Sequence, residues 1–252
     1  MFIPLNDRND LDHIDRQYVT LTLIAVNVLV WVVTALSGAS GELTTAAVLG
    51  LGFIPAVALG PAELAPGLTL VPETATYITY SFLHANFMHL ASNMVFLWVF
   101  GDNIEDALGH FRFLIFYLAC AAAGALAHGM LNAGSEAPLI GASGAVAGVV
   151  AAYLILHPRV KLWVLVMWRI PLPLPAFVPL LIWVGYQFVM VVADSDGAVS
   201  WAAHVGGIVA GAVLVVLLKR REVPLFDRKI VSPRAVVRRK SPVPQVERRW
   251  GR

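Results

Sequence analysis

The sequence predicts an all-α polytopic membrane protein, a bundle of six transmembrane helices. Apolar residues make up 58% of the chain and charged residues 13%, with a mean hydropathy of +0.74; a soluble globule is nearer half apolar and a quarter charged. The apolar residues gather into six runs that read as spans, which leaves room for one bundle rather than two soluble domains. When those runs are threaded in alternation, all 18 Lys and Arg fall on one side of the membrane. That is the positive-inside pattern, and it puts both termini in the cytoplasm.

Residues 1–17 are polar, with Asp7, Asp10, Asp12 and Asp15 against Arg8 and Arg16. They show neither the basic start nor the cleavage-like site of a signal peptide. The first span covers residues 19–36. Residues 37–76 form a long connection rich in Gly and Pro. Its apolar piece, 46–60, is short for a span and is broken by Gly50, Gly52 and Pro55, so it reads as an interfacial or half-buried loop. The second span covers 77–100 and is followed by a charged turn, 101–109, containing Asp102, Glu105 and Asp106. The third span covers 111–130. The fourth covers 141–156 and is stopped by His157 and Pro158. Residues 160–170 are too short to span before Pro171, Pro173 and Pro175, and Trp163 and Trp168 suit a membrane interface. The fifth span covers 177–193, ahead of a turn with Asp194 and Asp196, and the sixth covers 199–218.

The tail, 219–252, holds 12 of the 18 Lys and Arg along with Pro224, Pro233, Pro242 and Pro244. It reads as a disordered, solvated cytoplasmic tail, with adhesion to anionic lipid headgroups as the sharper alternative. The expected layout is therefore a cytoplasmic segment 1–17, a six-helix domain 18–218 and a basic tail 219–252. The lone cysteine, Cys120, provides neither a disulfide framework nor a Cys-based metal site.

Three stretches set polar groups inside these spans. They are His84-Ala-Asn-Phe-Met-His89-Leu-Ala-Ser-Asn93, Gly141-Ala-Ser143-Gly144, and Ala203-His204-Val-Gly-Gly207-Ile-Val-Ala-Gly211. Spans two, four and six enter from the same, non-cytoplasmic side. Counting back from their cytoplasmic ends at about 1.5 Å per residue, in a core of about 30 Å, puts His89, Ser143 and His204 at roughly 10, 9 and 8 Å below the outer surface. The fourth run, about 16 residues, covers only about 24 Å. Its N-terminus therefore starts below the surface, and the loop before it lines a cavity that admits water.

A serine hydroxyl is a poor nucleophile until a base takes its proton. His204 is the natural base, because imidazole titrates near neutral pH. Ser143 sits at a helix N-terminus, where free N–H groups favour an oxyanion. His89 and Asn93 lie four apart on one helix face and are candidate oxyanion donors. His84 lies off that face and is read as holding the neighbouring loop. Plainer readings compete: a serine in the first turn caps or packs a helix, and Gly144, Gly148, Gly207 and Gly211 form small-xxx-small packing stripes. Packing does not explain why a histidine shares the second stripe. No carboxylate lies at this depth in the spans, so a Ser–His dyad without aspartate is expected. The serine context is not the G-x-S-x-G elbow of soluble hydrolases. His128 and His157 lie near span ends and read as interfacial. A metal site from His84, His89 and His204 lacks the His-Glu-x-x-His pairing and leaves Ser143 unused, so neither metal nor cofactor is expected.

These residues resemble the rhomboid family of intramembrane serine proteases, with a match running from about residue 77 to 218. The resemblance rests on His84-x4-His89-x3-Asn93, on Gly141-x-Ser143-Gly144 and on Ala203-His204-x2-Gly207-x3-Gly211, in that order and each in its own span. The 101–109 turn with Glu105 also resembles the family's loop between its second and third helices. The resemblance implies a six-helix bundle that cleaves single-pass transmembrane proteins near their helix ends. Ser143 and His204 would be catalytic, and His89 and Asn93 would contribute to the oxyanion hole. The fifth span would be the gate, under a cap over the site. Two departures stand out. The first long loop lacks the Trp-Arg pair of many members, and Ala147 replaces an aromatic residue that some members pack against the catalytic histidine. The family pattern therefore does not say what orients His204 here. Expected partners are single-pass transmembrane substrates and the lipid bilayer, not nucleic acid, in a bacterial plasma membrane, with an organelle membrane as the alternative. Two other functions compete: a non-proteolytic member of the fold that binds transmembrane clients, and a transporter or channel that uses the buried histidines as a relay.

Overall fold

One short helix, Ser143–Leu156 (α7), forms the centre of the molecule. Its sequence is small and apolar on every face, and Gly144 through Tyr153 are all buried, as is Leu156. A helix that is apolar all round needs neighbours on all sides. In the computed structural model, which describes residues 2–7, 9–36, 42–166, 169–193 and 199–227, those neighbours are Phe87–Leu108 (α5), His110–Leu131 (α6), Phe177–Ala193 (α8) and Trp201–Leu218 (α9). The first helix, Tyr18–Ala35 (α1), packs on α5 from outside. Expectations for residues 37–41, Trp168, the turn with Asp194 and Asp196, and the tail beyond Asp227 lie outside the described residues.

The chain is mostly helical. Helices α1, α6 and α9 are long and apolar enough to cross a membrane. At 14 and 17 residues, α7 and α8 are apolar but shorter. The last turns of α5 carry Asp102, Glu105 and Asp106. Length and composition thus support three of the six expected crossings.

The connection between α1 and α5 is helical rather than a plain loop. It contains Glu42–Leu51 (α2), Pro55–Ala58 (α3) and Glu73–Thr79 (α4), followed by a 3-10 turn at Tyr80–Phe82. Phe53 and Ile54 are buried within it. It also holds the backbone that leads to Ser143. Phe53 and Leu139 exchange N–H···O bonds of 3.1 and 2.8 Å, and the Gly141 N–H donates to the Tyr80 carbonyl at 3.0 Å.

The second span differs from expectation at both ends. The chain leaves helix after Phe82 and restarts at Phe87, where the Asn86 side chain caps the new helix by accepting from the His89 N–H at 2.9 Å. At the other end, residues 101–108 are not a turn but the end of α5. Acidic residues are tolerated there because their carboxylates are hydrogen-bonded. Glu105, fully buried, accepts from the Val19 and Thr20 N–H groups at 2.9 and 2.7 Å and from the Thr20 hydroxyl at 2.7 Å, and it meets His110 Nδ1. Asp106 accepts from the N–H groups of Asp12, His13 and Ile14 and pairs with His13 Nδ1 at 3.0 Å.

The stretch after α7, expected to be too short to span and to lie at a membrane interface, forms a sheet. Phe2–Asn6 (β1), Lys161–Val166 (β2) and Ile170–Pro175 (β3) pair antiparallel in the order β1-β2-β3. Pro171, Pro173 and Pro175 alternate along β3, an edge strand, where a missing N–H is tolerated and further strand pairing is discouraged. The sheet carries the N-terminus back to the bundle. Asp7 is buried; it accepts from the Tyr153 hydroxyl at 2.7 Å and from Asn103 Nδ2 at 3.0 Å. Burial pushes its carboxyl up to about 7; the Tyr153 hydrogen bond opposes the rise and nearby Asp102 adds to it.

Candidate active site

Ser143 is the first residue of α7. The cap position before it is Ala142, and no side chain caps the helix, so the serine hydroxyl is not consumed in capping. Gly141, two residues earlier, has φ of +122°, a conformation that glycine adopts without penalty. A Cβ there would also stand 2.6 Å from Cε1 and Nε2 of His89. The His89 imidazole therefore lies directly on the backbone that enters Ser143.

Helices α7 and α9 meet backbone to backbone. A side chain at Gly207 would overlap the Gly144 carbonyl, and one at Gly211 would overlap the carbonyl of Gly148. Because both numbers rise together, the two helices run parallel and their N-terminal ends lie side by side. At that end a Cβ on Gly144 would come 3.2 Å from the Ala203 carbonyl. The glycine stripes thus bring the turn bearing Ser143 against the turn bearing His204. Ser200 caps α9 by accepting from the Ala203 N–H at 3.2 Å, and its hydroxyl lies 2.7 Å from His128 Nδ1. The interfacial reading of His128 thus resolves into a tie between α6 and the start of α9.

His89 and His204 are within electrostatic reach of each other. Asn93 is buried, and its Nδ2 lies 3.1 Å from both His84 Nε2 and the His89 carbonyl. Both hydrogens of that amide are thereby committed. His84, buried and 5.0 Å from the His89 ring between centroids, touches the set through Asn93 rather than through the loop alone.

Three residues that the sequence reading passed over lie against His204. Gln187 Oε1 is 2.7 Å from His204 Nδ1, while Gln187 Nε2 donates to the Trp183 carbonyl at 3.0 Å. The Trp183 ring lies 6.3 Å from the His204 ring at 28°, and Trp201 meets it edge-on at 5.9 Å. Trp183 also packs against Ala147, Ala151 and Ile208. The small residue at 147 leaves a place that an aromatic side chain from α8 fills. The available signal was Gln187 itself, an amide in an otherwise apolar run, where a buried polar group calls for a partner.

A model of the Rhomboid domain matches residues 72–221, more than half of the chain. The yeast protein "Rhomboid protein 1, mitochondrial" (Saccharomyces cerevisiae) is 32% identical over 147 residues, 57% of this chain and 41% of its own length. "Rhomboid protease GluP" of Bacillus subtilis is 27% identical over 215 residues, 84% of this chain and 37% of its own. The human "Presenilin-associated rhomboid-like protein, mitochondrial" is 28% identical over 144 residues, 52% of this chain and 34% of its own. The chain spans less than half the length of each of these relatives. With its apolar helices and a domain match that includes all three polar stretches, the chain is an integral membrane protein of the rhomboid family.

Proposed function

We propose that the protein is an intramembrane serine endopeptidase that hydrolyses peptide bonds of single-pass transmembrane proteins with a Ser143–His204 dyad. The main support is the parallel backbone contact of α7 and α9, which brings the serine turn and the histidine turn together. In this reading His204 Nε2 takes the Ser143 hydroxyl proton as Oγ attacks the scissile carbonyl carbon. The resulting oxyanion is held by the Ser143 backbone N–H and by His89, whose ring lies on Gly141. The C–N bond breaks as the leaving amine takes the proton from Nε2. Water, deprotonated by the same nitrogen, then attacks the acyl-serine ester, and the Ser143 hydroxyl recovers its proton. Asn93 joins the oxyanion hole only by releasing His84 or the His89 carbonyl.

The rest of the reading concerns placement in the membrane. Six crossings, with residues 18–218 as the protease domain, put both termini in the cytoplasm and open the site to the opposite side; the one-sided distribution of Lys and Arg supports this. We assign the protein to a bacterial plasma membrane. Mitochondrial relatives stand beside the bacterial one, so an organelle membrane is the competing assignment, and cell fractionation decides between them.

The test uses proteoliposomes holding the protein and a single-pass reporter with Gly and Pro in its outer segment, which weaken the helix. The wild type is expected to cut it, and Ser143→Ala and His204→Ala to leave it intact. Cleavage by both variants would overturn the reading. Stable reporter binding without cleavage, unchanged in Ser143→Ala, would move the protein to the client-binding class.

A further inference from the structure

We infer that Gln187 is the positioning residue for the catalytic base, an uncharged third member in the place that a carboxylate occupies in Ser-His-Asp enzymes. The inference rests on the dyad reading and adds to it the group that orients His204.

The hydrogen-bond inventory requires it. Gln187 Nε2 donates to the Trp183 carbonyl, so rotating the amide by half a turn would set two oxygens against each other. Oε1 must therefore face His204. At 2.7 Å from an amide oxygen, Nδ1 of His204 must be the protonated nitrogen. Nε2 then keeps its lone pair, the form that a general base for Ser143 needs. A ring with no partner at Nδ1 would divide itself between two tautomers, and only one of them accepts the serine proton. The Trp183 ring, against one face of the imidazole, limits its rotation.

Burial points the same way. In α8 the buried residues are Pro179, Leu180 and Gln187, while Tyr186, Phe188, Val189 and Val192 around the glutamine are exposed. An amide buried among exposed residues in the second half of an apolar helix is costly without a specific partner. Here the partner is the imidazole. The other groups around the ring are His89 from α5, Trp183 from α8 and Trp201 on α9 itself; among the described residues these neighbours include no carboxylate. A neutral acceptor fixes the tautomer without stabilising the imidazolium as an aspartate would. Because both Gln187 and Trp183 belong to α8, His204 is oriented only while α8 lies against α9.

The experiment follows the rate of covalent labelling of the full-length, detergent-solubilised protein by a fluorophosphonate–rhodamine probe from pH 5 to 9, with thermal unfolding recorded in parallel. Gln187→Leu, close in volume and apolar, is expected to slow labelling by at least about tenfold while the thermal midpoint holds or rises. Gln187→Glu keeps the acceptor but adds charge. It is expected to restore labelling at high pH and to move the pH midpoint of labelling upward by about one unit or more. Wild-type rates and midpoint in both variants would overturn the role of Gln187 and leave the dyad standing. Absence of labelling in folded wild type would instead remove the dyad reading itself.

Discussion

The two ends of α7 use the same kinds of side chain in opposite ways. At its C-terminal end Tyr153 donates to Asp7, Asn103 donates to Asp7, and nearby Glu105 and Asp106 accept from five backbone N–H groups of the N-terminal segment and the start of α1. These groups are committed to one another, and what they produce is an anchored N-terminus. At the N-terminal end the serine caps nothing, His204 is held from behind at Nδ1, and the His89 ring rests on backbone. Ser143 and the His89 ring are thus left uncommitted among the described residues, while Asn93, His84 and Gln187 take up the holding.

The largest expected effect falls where the two helices touch. Gly207→Val would drive a side chain into the Gly144 carbonyl and separate the serine turn from the histidine turn. Fluorophosphonate labelling is expected to disappear; labelling at the wild-type rate would mean that the close contact is not needed. Next in size is a contrast inside the candidate oxyanion hole. His89→Ala should lower the labelling rate by about 100-fold, in the range found for loss of one oxyanion donor. Asn93→Ala should cost much less, because its amide is already engaged by His84 and the His89 carbonyl. Equal losses would place Asn93 in the hole as fully as His89.

At the opposite end the expected effects concern stability rather than reaction. Glu105→Gln sets an NH2 group among donors that now meet a carboxylate, and should cost about 2–3 kcal/mol. The thermal midpoint in detergent should fall, while the folded fraction labels normally. The smallest effect is a pH dependence. Asp7 has its carboxyl raised to about 7, mainly by burial. The native state therefore holds a proton there that the unfolded chain releases near 4. This contribution to stability is full below about pH 4 and is lost as pH rises toward 7. Asp7→Asn should flatten that part of the stability profile, and an unchanged slope in the variant would assign it to another group.

Much of the bundle was legible because apolar runs leave little choice: the fifth run, 177–193, matches α8 to the residue, the third differs from α6 by one position at each end, and the sixth differs from α9 by two positions at its start. The errors came where polar contacts override a local pattern. Residues 101–108 look like a charged turn until Glu105 and Asp106 are seen to be held by the start of α1 and the N-terminal segment, 85 to 94 residues earlier in the chain. The three-stranded sheet escaped for a similar reason, since β1 and β2 are separated by most of the chain. In the candidate site, Ser143, His204 and His89 stood out by residue type and depth, whereas the hold on His204 did not. Glutamine does not titrate and stands out less than histidine in an apolar run, and what marks it here is a single contact between two helices.

The most direct test of the account is to map the fluorophosphonate adduct by mass spectrometry on wild-type protein and on His204→Ala. The account predicts one adduct, on Ser143, present in the wild type and absent in the variant. An adduct on another residue, or none in protein shown to be folded, would contradict it.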